Sequence, residues 1–326
     1  MHFTAQGVIP LLPMRILLIK TSSLGDVVHN LPVVTDLREH FPDAEIDWVV
    51  EEGFADIARL HPGIRRAIPV ALRRWRKSLL KPATWSEFGG FRNVLQEQSY
   101  DLVIDTQGLL KSALIARMAD GKRCGYASAA AREPLAARFY DATFDVSKNL
   151  HAVLRNRRLA AAAAGYTASA VLDYGIAAPP APAPAKPVAI LLTATSRNDK
   201  LWPQEHWIEV GRALHERGLT CLLPGGSEPE RERARKLAHA IPDALALPPS
   251  SLKDLAGQLA MARIVIGVDT GLAHLAAALG RPTLALFCAT DPALTGVMAS
   301  TPAINLGTLG KPPGVETVLA AALPLL

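Results

Sequence analysis

Short apolar runs alternate with longer amphipathic segments along the first half of the chain. The apolar runs of strand length lie at 14–20, 45–50, 67–70 and 101–105. The amphipathic segments between them lie at 27–41, 88–98 and 109–119. The runs are too short and too rich in β-branched residues for helices, so they predict buried parallel strands. Strands that alternate with helices at this spacing predict an α/β fold with a doubly wound parallel sheet.

A proline- and alanine-rich stretch at 177–187 interrupts this pattern, after a last predicted helix at 149–164. Because a core helix cannot contain so many prolines, the stretch predicts a semi-rigid linker. The alternation then restarts, with strands predicted at 188–192, 219–223, 264–268 and 283–287 and helices at 204–217, 230–240 and 251–261. We therefore expect two α/β domains, 14–176 and 188–326, preceded by an extension at 1–13. Ligands of such sheets bind beyond the carboxyl ends of the strands, in the cleft between the domains.

The turn at 267–274 (GVDTGLAH) connects a predicted buried strand to the start of a helix. Such a turn directs several backbone N–H groups and the positive end of a helix dipole at one point, which suits a phosphate. Thr270 could cap the helix or supply a hydroxyl, and Gly271 would let a ligand approach the backbone closely. His274, one turn further on, could face the same anion. The alternative is an ordinary helix cap followed by a buried helical histidine.

Three further polar residues follow predicted strands at the same sheet edges. Asp26 is the only carboxylate in the loop after the first strand. It suits a general base for a hydroxyl nucleophile, and the alternative is a helix N-cap. Lys200 follows the first strand of the second half and would bind a diphosphate beside 267–274, unless it is only solvated. Glu230 could accept hydrogen bonds from a ribose diol, or lie solvated in a first helical turn.

The composition is that of a globular chain with a large core, because 49% of the 326 residues are hydrophobic and 20% are charged. The net charge is +5, and basic residues cluster at 73–77 (RRWRK). This cluster indicates an acidic partner, with a solvated face as the alternative. Lys111 and Arg132 are further candidate contacts. Nucleic-acid binding is disfavoured, since only 6% of the residues are aromatic and no nucleic-acid-binding motif occurs.

Several signatures of other protein classes are missing from the sequence. No GxGxxG follows the first strand and no GxxxxGK[ST] occurs, which disfavours dehydrogenases and P-loop NTPases. Without paired Cys/His spacing or a DxD motif, we expect a metal-free site that neutralises phosphate with helix dipoles and basic side chains. The three cysteines are isolated, which fits a reducing compartment. No transmembrane run or signal peptide is evident, so we expect a cytoplasmic protein.

Seven motifs are distinctive in combination: 14–26 (MRILLIKTSSLGD), 47–54 (DWVVEEGF), 68–77 (IPVALRRWRK), 105–111 (DTQGLLK), 132–135 (REPL), 199–203 (DKLWP) and 268–274 (VDTGLAH). Together they resemble the lipopolysaccharide heptosyltransferases of glycosyltransferase family 9. The resemblance runs from residue 14 to near the end of the chain. It implies a GT-B fold, in which two Rossmann-like domains, one for the acceptor and one for ADP-heptose, face each other across a cleft.

The resemblance also implies a reaction and a set of site residues. L-glycero-D-manno-heptose would pass from ADP-heptose to the first Kdo of Kdo2-lipid A, with inversion and with neither a cofactor nor an obligatory metal. Asp26 would be the catalytic base. The donor would be bound by Thr195, Ser196, Lys200, Glu230, Asp269, Thr270, Gly271 and His274. The acidic groups of the acceptor would be bound by Arg73, Arg74, Arg76, Lys77, Lys111 and Arg132.

By the same resemblance, the protein would work peripherally at the cytoplasmic face of the inner membrane, attracted to the anionic surface by its basic residues. The nearest alternative is heptosyltransferase II, which shares the donor and the architecture but accepts the heptosylated core. The RRWRK segment favours the enzyme that acts on the first Kdo. A catalytically inactive sensor of nucleotide sugars is a further alternative, which donor binding without turnover would distinguish.

Overall fold

The computed structural model describes residues 13–195 and 197–326. The extension predicted at 1–13, apart from Pro13, and the candidate donor contact Ser196 therefore lie outside the described residues. Within the described part of the chain, twelve strands form two separate six-stranded sheets. All the strand pairs are parallel, as predicted. No helix within those two ranges is both long and apolar enough to cross a membrane.

The first sheet has the strand order β3-β2-β1-β4-β5-β6. Its strands are β1 (Arg15–Ile19), β2 (Glu45–Glu51), β3 (Ile64–Val70), β4 (Ser99–Asp105), β5 (Asp120–Tyr126) and β6 (Ala142–Phe144). The accompanying helices are α1 (Leu24–Val28), α2 (Leu31–His40), α3 (Ala55–Arg59), α4 (Leu72–Trp75), α5 (Pro82–Gln96), α6 (Leu110–Ala116) and α7 (Ala152–Ala164). This is the Rossmann order, and its topological switch point lies between β1 and β4.

The second sheet repeats the same topology with the order β12-β11-β10-β7-β8-β9. Its strands are β7 (Val188–Leu192), β8 (Thr220–Leu223), β9 (Leu245–Ala246), β10 (Ile264–Val268), β11 (Thr283–Phe287) and β12 (Ala303–Gly307). The accompanying helices are α8 (Gln204–Glu216), α9 (Glu228–Ala240), α10 (Leu252–Ala260), α11 (Gly271–Ala278) and α12 (Val315–Ala322). Its switch point lies between β7 and β10. The predicted α/β class with two Rossmann-like sheets is confirmed.

The central strands are apolar on both faces because helices cover both sides of each sheet. Four of the five residues of β1 and all five residues of β10 are buried. Ile19 of β1 aligns with Asp105 of β4, and Leu192 of β7 aligns with Gly267 of β10. The loops that follow these four strands therefore begin side by side at the switch points, where α/β folds place their ligands.

The single helix predicted at 27–41 is wrong, because the structure has two helices there, α1 and α2. Asn30 precedes α2, and Pro32 lies in its first turn, where a missing N–H costs no helical hydrogen bond. Oδ1 of Asn30 accepts a hydrogen bond of 2.7 Å from Thr106 Oγ1. This contact joins residues that are 76 positions apart in the sequence, so helical periodicity cannot reveal it.

The strands that are buried along their whole length agree best with the sequence pattern. The strands predicted at 188–192, 264–268 and 283–287 have the observed bounds of β7, β10 and β11. The pattern does not predict β5, β6, β9 or β12. β5 reads DGKRCGY and β9 has only two residues, so neither presents an apolar run. These strands form because a neighbouring strand supplies their hydrogen bonds, not because of local sequence.

The stretch at 177–187 contains neither helix nor strand. It packs on α10, since a Cβ built on Gly257 would lie 3.2 Å from the carbonyl oxygen of Pro179. We propose that this stretch is the interdomain linker and that the two domains are 14–176 and 188–326. The presence of one complete sheet on each side of the stretch supports this proposal.

Candidate active site between the two sheets

Helices α1 and α11, which follow the central strands of the two sheets, touch each other. A Cβ built on Gly271, the first residue of α11, would lie 2.6 Å from the Cβ of Leu24 in α1. A Cβ built on Gly25 would lie 3.3 Å from the ring of His274. Two glycines thus allow the close approach of the helices. Because α1 carries Asp26 and α11 carries His274, this packing unites two of the predicted loops in one site.

Asp26 is the third residue of α1 and is bound by the residue that precedes the helix. Its Oδ2 accepts hydrogen bonds from the backbone N–H of Ser23 at 2.8 Å and from the Ser23 hydroxyl at 3.2 Å. Its Oδ1 lies 3.6 Å from Nη1 of Arg132, and 26% of the Asp26 side chain is exposed. The N-cap alternative is therefore wrong in position, because Ser23 is the N-cap. One carboxylate oxygen closes the capping box, and the other faces Arg132.

A buried lysine that the sequence did not single out lies near Asp26. Nζ of Lys20 donates to the carbonyl oxygen of Thr106 at 2.8 Å and to Oδ1 of Asn156 at 3.3 Å. Burial lowers the pKa of Lys20 to about 8, and the negative charge of Asp26 partly opposes this shift. Lys20 therefore places a second titratable group beside the candidate base.

Lys200 and the turn after β10 converge as predicted. Nζ of Lys200 donates to Oδ2 of Asp269 at 2.5 Å, and the hydroxyl of Thr290 donates to the same oxygen at 2.8 Å. The hydroxyl of Thr195 donates to the carbonyl oxygen of Asp269 at 3.2 Å. Thr270 is the N-cap residue of α11, but its hydroxyl makes no capping hydrogen bond. A cation, two hydroxyls and a helix N-terminus therefore meet at one sheet edge.

Three histidines from both halves of the chain form a cluster behind this edge. His274 is 6% exposed, and its Nδ1 lies 3.2 Å from Nε2 of His29. The ring of His151 lies 5.6 Å from the ring of His29, centroid to centroid. Burial lowers the pKa of His274 to about 4, although the negative charge of Asp269 acts in the opposite direction. Within the described residues, no group of three or more His, Cys, Asp or Glu side chains could hold a metal ion.

Glu230 closes the capping box at the start of α9. Its Oε2 accepts hydrogen bonds from the backbone N–H groups of Gly226 at 2.9 Å and Ser227 at 2.8 Å. Glu230 therefore lies in the first turn of a helix, which is the position that the alternative interpretation gave it. The loop that it organises follows β8, which is hydrogen-bonded to β7 in the sheet. Glu230 is thus placed at the same sheet edge as Lys200, with one of its two oxygens engaged in the cap.

The basic segment at 73–77 does not form one continuous basic surface. Trp75 is 7% exposed, and its indole N–H donates to Oε2 of Glu87 at 2.8 Å. Nη1 and Nη2 of Arg74 pair with Glu87 at 2.8 Å and with Glu52 at 3.0 Å. The guanidinium of Arg73 stacks over the ring of Phe54 at 5.1 Å. Arg74 is therefore engaged in the structure, which weakens its assignment as an acceptor contact.

A cavity of about 680 Å³ connects part of this segment to the loop before α1. Arg73, Arg76 and Lys111 line it together with Ser22, whereas Arg74 and Lys77 line an adjoining cavity. Nζ of Lys111 donates to the Ser22 hydroxyl at 3.3 Å. The rest of the lining is mostly apolar and comes from α4, α5, α6 and the nearby residues Leu79 and Met118. The cavity thus combines a basic rim with an apolar wall, and it reaches Ser22, four residues before Asp26.

A family model described as glycosyltransferase family 9 (heptosyltransferase) matches residues 89–319. The chain belongs to glycosyltransferase family 9. Within family 9, it is 46% identical over 288 residues to lipopolysaccharide heptosyltransferase 1 of Escherichia coli strain K12. That alignment covers 87% of this chain and 90% of the relative.

Solved structures agree with the assignment to glycosyltransferase family 9. The structure of E. coli heptosyltransferase WaaC with ADP matches with a TM-score of 0.90 and 40% identity, over 96% of this chain and 100% of that chain. WaaC with ADP-2-deoxy-2-fluoro heptose matches with a TM-score of 0.84 and 41% identity, over 95% and 98%. E. coli ADP-heptose lps heptosyltransferase II shares the fold, with a TM-score of 0.74 and 21% identity, over 96% and 98%. The expected GT-B fold is confirmed.

The sequence pattern did not indicate three residues of this site: Lys20, His29 and His151. Two signals were present. Lys20 directly follows four apolar residues, and His29 follows Asp26 by three residues, as the C-cap of the same short helix. Nothing in the sequence around His151 indicates such a role. His151 and His29 are 122 positions apart, and their rings come together only when the elements pack.

Proposed function

We propose that this protein is an inverting glycosyltransferase that moves L-glycero-D-manno-heptose from ADP-heptose to the first Kdo of Kdo2-lipid A. Membership of family 9 and the likeness to heptosyltransferase 1 of E. coli support this proposal. The structural observation that carries it is the contact between α1 and α11. This contact sets the carboxylate of Asp26 opposite the turn that carries Asp269 and His274.

The donor would lie against the carboxyl ends of β7 and β10. We propose that Lys200 and the backbone N–H groups at the start of α11 bind the diphosphate, with hydroxyls from Thr195, Ser196 and Thr270. Asp269, Gly271 and His274 would face the diphosphate and the heptose, and Glu230 would accept hydrogen bonds from the ribose. Lys200 is paired with Asp269 at 2.5 Å, so the donor diphosphate would compete with the Asp269 carboxylate for this cation.

Asp26 would act as the general base. Its Oδ2 is held by Ser23, which orients the carboxylate and leaves Oδ1 toward the cleft. The acceptor hydroxyl would give its proton to Oδ1 while its oxygen attacks the anomeric carbon of the heptose. The bond from that carbon to the diphosphate oxygen would break on the opposite face, and ADP would leave with the electron pair. A single in-line displacement of this kind inverts the anomeric configuration.

Fixed positive groups would stabilise the charge that develops on ADP. Preorganised donors of this kind are often the largest catalytic contribution when they face the atoms where charge appears. Lys200 and the turn that leads into α11 are held together by hydrogen bonds to Asp269. We propose that they perform the role that a divalent cation performs in metal-dependent sugar-nucleotide enzymes.

The acceptor would enter along the cavity lined by Arg73, Arg76 and Lys111. We propose that these side chains, with Arg132 and Lys77, bind the carboxylates of Kdo and the phosphates of lipid A. Arg132 lies 3.6 Å from Asp26, so it is placed to bind an acidic sugar beside the candidate base. We assign Arg74 a smaller part, because its guanidinium is paired with Glu52 and Glu87.

The same face would contact the membrane in which the acceptor is embedded. Leu80 is fully exposed, and the neighbouring Leu79 and Trp85 are 53% and 60% exposed. Lys77 and Lys81 flank them and are also exposed. Apolar side chains next to lysines suit an interface with anionic lipid. We propose that the connection between α4 and α5 rests on the cytoplasmic face of the inner membrane.

The experiment that tests this function measures ADP release from ADP-heptose with delipidated Kdo2-lipid A, in the presence of a metal chelator. We expect release that requires the acceptor and that falls by about 10²-fold or more in Asp26→Asn, the scale of a lost general base. Asp254→Asn is the matched control, because Asp254 is also the third residue of a helix and bonds the capping serine, Ser251.

Each other outcome has a defined meaning. Release only with the heptosylated acceptor would identify heptosyltransferase II activity instead. Full activity of Asp26→Asn would keep the transferase but remove Asp26 as its base. Loss of activity on chelation would contradict a metal-independent mechanism.

A further inference from the structure

His29 occupies an unusual position for a residue outside the predicted site. It caps the C-terminal end of α1, three residues after Asp26, and it is 4% exposed. Its Nε2 lies 3.2 Å from Nδ1 of His274, so the two imidazoles are hydrogen-bonded across the contact between α1 and α11. The rings meet edge to face, with centroids 4.5 Å apart. One of the two rings must donate the proton that they share.

The surroundings of the second nitrogen of His29 decide which ring donates. Nδ1 of His29 is buried and has no hydrogen-bond partner among the described residues. A buried N–H without a partner is rarer and more costly than an acceptor without one. The neutral ring of His29 therefore places its lone pair at Nδ1 and its proton at Nε2. Consequently, His29 donates and Nδ1 of His274 accepts.

This assignment fixes the tautomer of His274. A neutral imidazole that accepts at Nδ1 carries its proton at Nε2. Among the described residues, Nε2 of His274 has no hydrogen-bond partner, and the Cδ2–Nε2 edge of the ring faces Gly25. Because Gly25 has no side chain, backbone atoms of α1 rather than a side chain lie against this edge near Asp26. His274 thus presents a neutral N–H donor on the side of the ring that faces the loop of the candidate base.

The charged neighbours agree with a neutral pair. His29 is faced by His274 from α11, by His151, which precedes α7, and by Lys20, which follows β1. Burial is the main cause that holds the pKa of His29 well below its ordinary range, and these three groups lower it further. His274 is faced by Asp269, Lys200, His151 and Asp26, and burial is the main cause of its lowered pKa of about 4. Neither ring takes up a second proton near neutral pH, so the donor and acceptor roles persist there.

We propose that His29 is a positioning residue of the transferase, which holds His274 in its Nε2–H tautomer and directs that N–H toward the phosphorylated sugar of the donor. This inference rests on the proposed function, since it gives His274 a leaving group to stabilise. His29 makes no contact with the donor in this scheme. Its effect passes through the ring of His274.

Three substitutions of His29 test the proposal. In His29→Gln, the terminal amide N–H replaces the ring Nε2–H at a similar reach. In His29→Asn, the amide is one carbon shorter and corresponds to Nδ1, and in His29→Leu no donor remains. We expect His29→Gln to keep kcat within about 3-fold of wild type, and the other two to lower kcat by about 10-fold, the scale of one hydrogen bond. The KM for the acceptor should not change.

The tautomer of His274 is measured directly by ¹⁵N NMR of histidine-labelled protein. The His274 signals are assigned by their loss in His274→Gln. We expect the protonated nitrogen of wild type and of His29→Gln to be Nε2, and the two tautomers to mix in His29→Leu. His215→Leu is the control, because His215 lies on α8 with 36% of its side chain exposed, and its Nδ1 lies 3.9 Å from Oδ2 of Asp243. It should alter neither the tautomer nor the kinetics.

Two results would overturn the proposal: a wild-type His274 that is protonated at Nδ1, or a His29→Leu variant with the wild-type tautomer and rate. A purely structural role predicts that His29→Gln and His29→Asn lose thermal stability and activity in parallel, with no change of tautomer, and this result would also contradict it. The tautomer is read without donor or acceptor. Failure of the proposed function, seen as no ADP release by wild type, is therefore distinct from failure of this inference.

Discussion

Nζ of Lys200 lies 2.5 Å from Oδ2 of Asp269, so the cation that we propose for the donor diphosphate is paired with a carboxylate. The side chains of Lys200 and Asp269 are only 17% and 13% exposed. Thr290 donates to the same carboxylate oxygen. Donor affinity is therefore a difference between two sets of charge-assisted hydrogen bonds, one made with Asp269 and one made with the diphosphate.

Removal of either partner should change ADP affinity in opposite directions. We expect Lys200→Met to weaken ADP binding by about 10- to 100-fold, the scale of a hydrogen bond to a charged group. Asp269→Asn should bind ADP more tightly, because Lys200 no longer has a competing carboxylate, yet transfer heptose more slowly. Calorimetric titration with ADP measures both. Lys186→Met is the control, since Lys186 and Asp243 form an ion pair that is 64% and 57% exposed. Weaker ADP binding by Asp269→Asn would contradict this account.

The contact between α1 and α11 should not tolerate a methyl group at Gly271. A Cβ there would lie 2.6 Å from two side-chain atoms of Leu24. We expect Gly271→Ala to lower the free energy of unfolding by about 1–3 kcal/mol and to reduce kcat, because overpacking would separate the helices. Gly90→Ala is the control, because a Cβ on Gly90 of α5 meets nothing within 4 Å. That change should stabilise α5 by up to about 1 kcal/mol. Equal effects of the two changes would refute the packing argument.

A buried ion pair joins α2 to α7 and should be essential to stability. Nε and Nη2 of Arg157 donate to the two oxygens of Asp36, both at 2.7 Å, and the side chains are 3% and 4% exposed. We expect Arg157→Met to lower the free energy of unfolding by about 3–5 kcal/mol, because Asp36 would remain buried without a counter-charge. Urea denaturation measures this loss.

The matched control for the buried pair is an exposed one. Arg59 and Asp56 pair at 2.9 Å with side chains that are 53% and 42% exposed. Arg59→Met should cost less than about 1 kcal/mol, because solvent screens such pairs. A similar loss in Arg157→Met and Arg59→Met would show that burial does not govern the contribution of Arg157.

Lys20 should make stability depend on pH in the alkaline range. Its pKa falls from 10.5 to about 8 on folding, because burial disfavours the charged form. Between these values the unfolded chain binds the proton more tightly, so the free energy of unfolding rises as the pH increases through this window. Relative to Lys20→Met, wild type should gain on the order of 3 kcal/mol across it. Lys253→Met is the control, because Lys253 is exposed. If the difference in free energy of unfolding between wild type and Lys20→Met does not change with pH, the pKa of Lys20 is not lowered.

The connection between α4 and α5 should bind lipid through apolar contacts as well as charge. Leu80 and Trp85 are 100% and 60% exposed. We expect the double change Leu80→Ser and Trp85→Ser to weaken sedimentation with vesicles that contain phosphatidylglycerol by about 10-fold or more, since burial of each side chain contributes about 1.5–3 kcal/mol. High salt should weaken binding further.

Leu309→Ser is the control for lipid binding, because Leu309 is 67% exposed but lies in the second half of the chain. It should leave vesicle binding unchanged. Complete release by salt, with no effect of the double change, would assign the attachment to the basic residues alone.

The sequence predicted the architecture more completely than the site. Strands such as β7, β10 and β11 are apolar runs that burial on both faces requires, so their bounds could be predicted to the residue. The candidate loops could be predicted because parallel strands place their carboxyl ends at one edge. Asp26, Lys200 and Asp269 were predicted as site residues in this way.

Pairings between distant residues could not be predicted. His29 and His274 are 245 positions apart, and nothing in the pattern around either indicates that their rings meet. The ion pairs of Arg74 with Glu52 and Glu87 could not be predicted either, because these glutamates lie 22 and 13 positions away in the sequence. Local patterns determine which segments fold into elements, whereas these contacts follow from how the elements pack.

The glycine-mediated contact of Gly25 and Gly271 with the opposite helix bears on the construction of chimeric enzymes. Consider a chimera in which the second sheet and its helices, proposed to bind the donor, are exchanged as a whole for those of another enzyme. Here such an exchange would pair a foreign helix with Leu24 and Gly25, where the space for a side chain is absent. A graft that carries the 21–30 segment together with the 267–274 turn would keep the matched surfaces. The functional module of this enzyme thus crosses the boundary that its two sheets define.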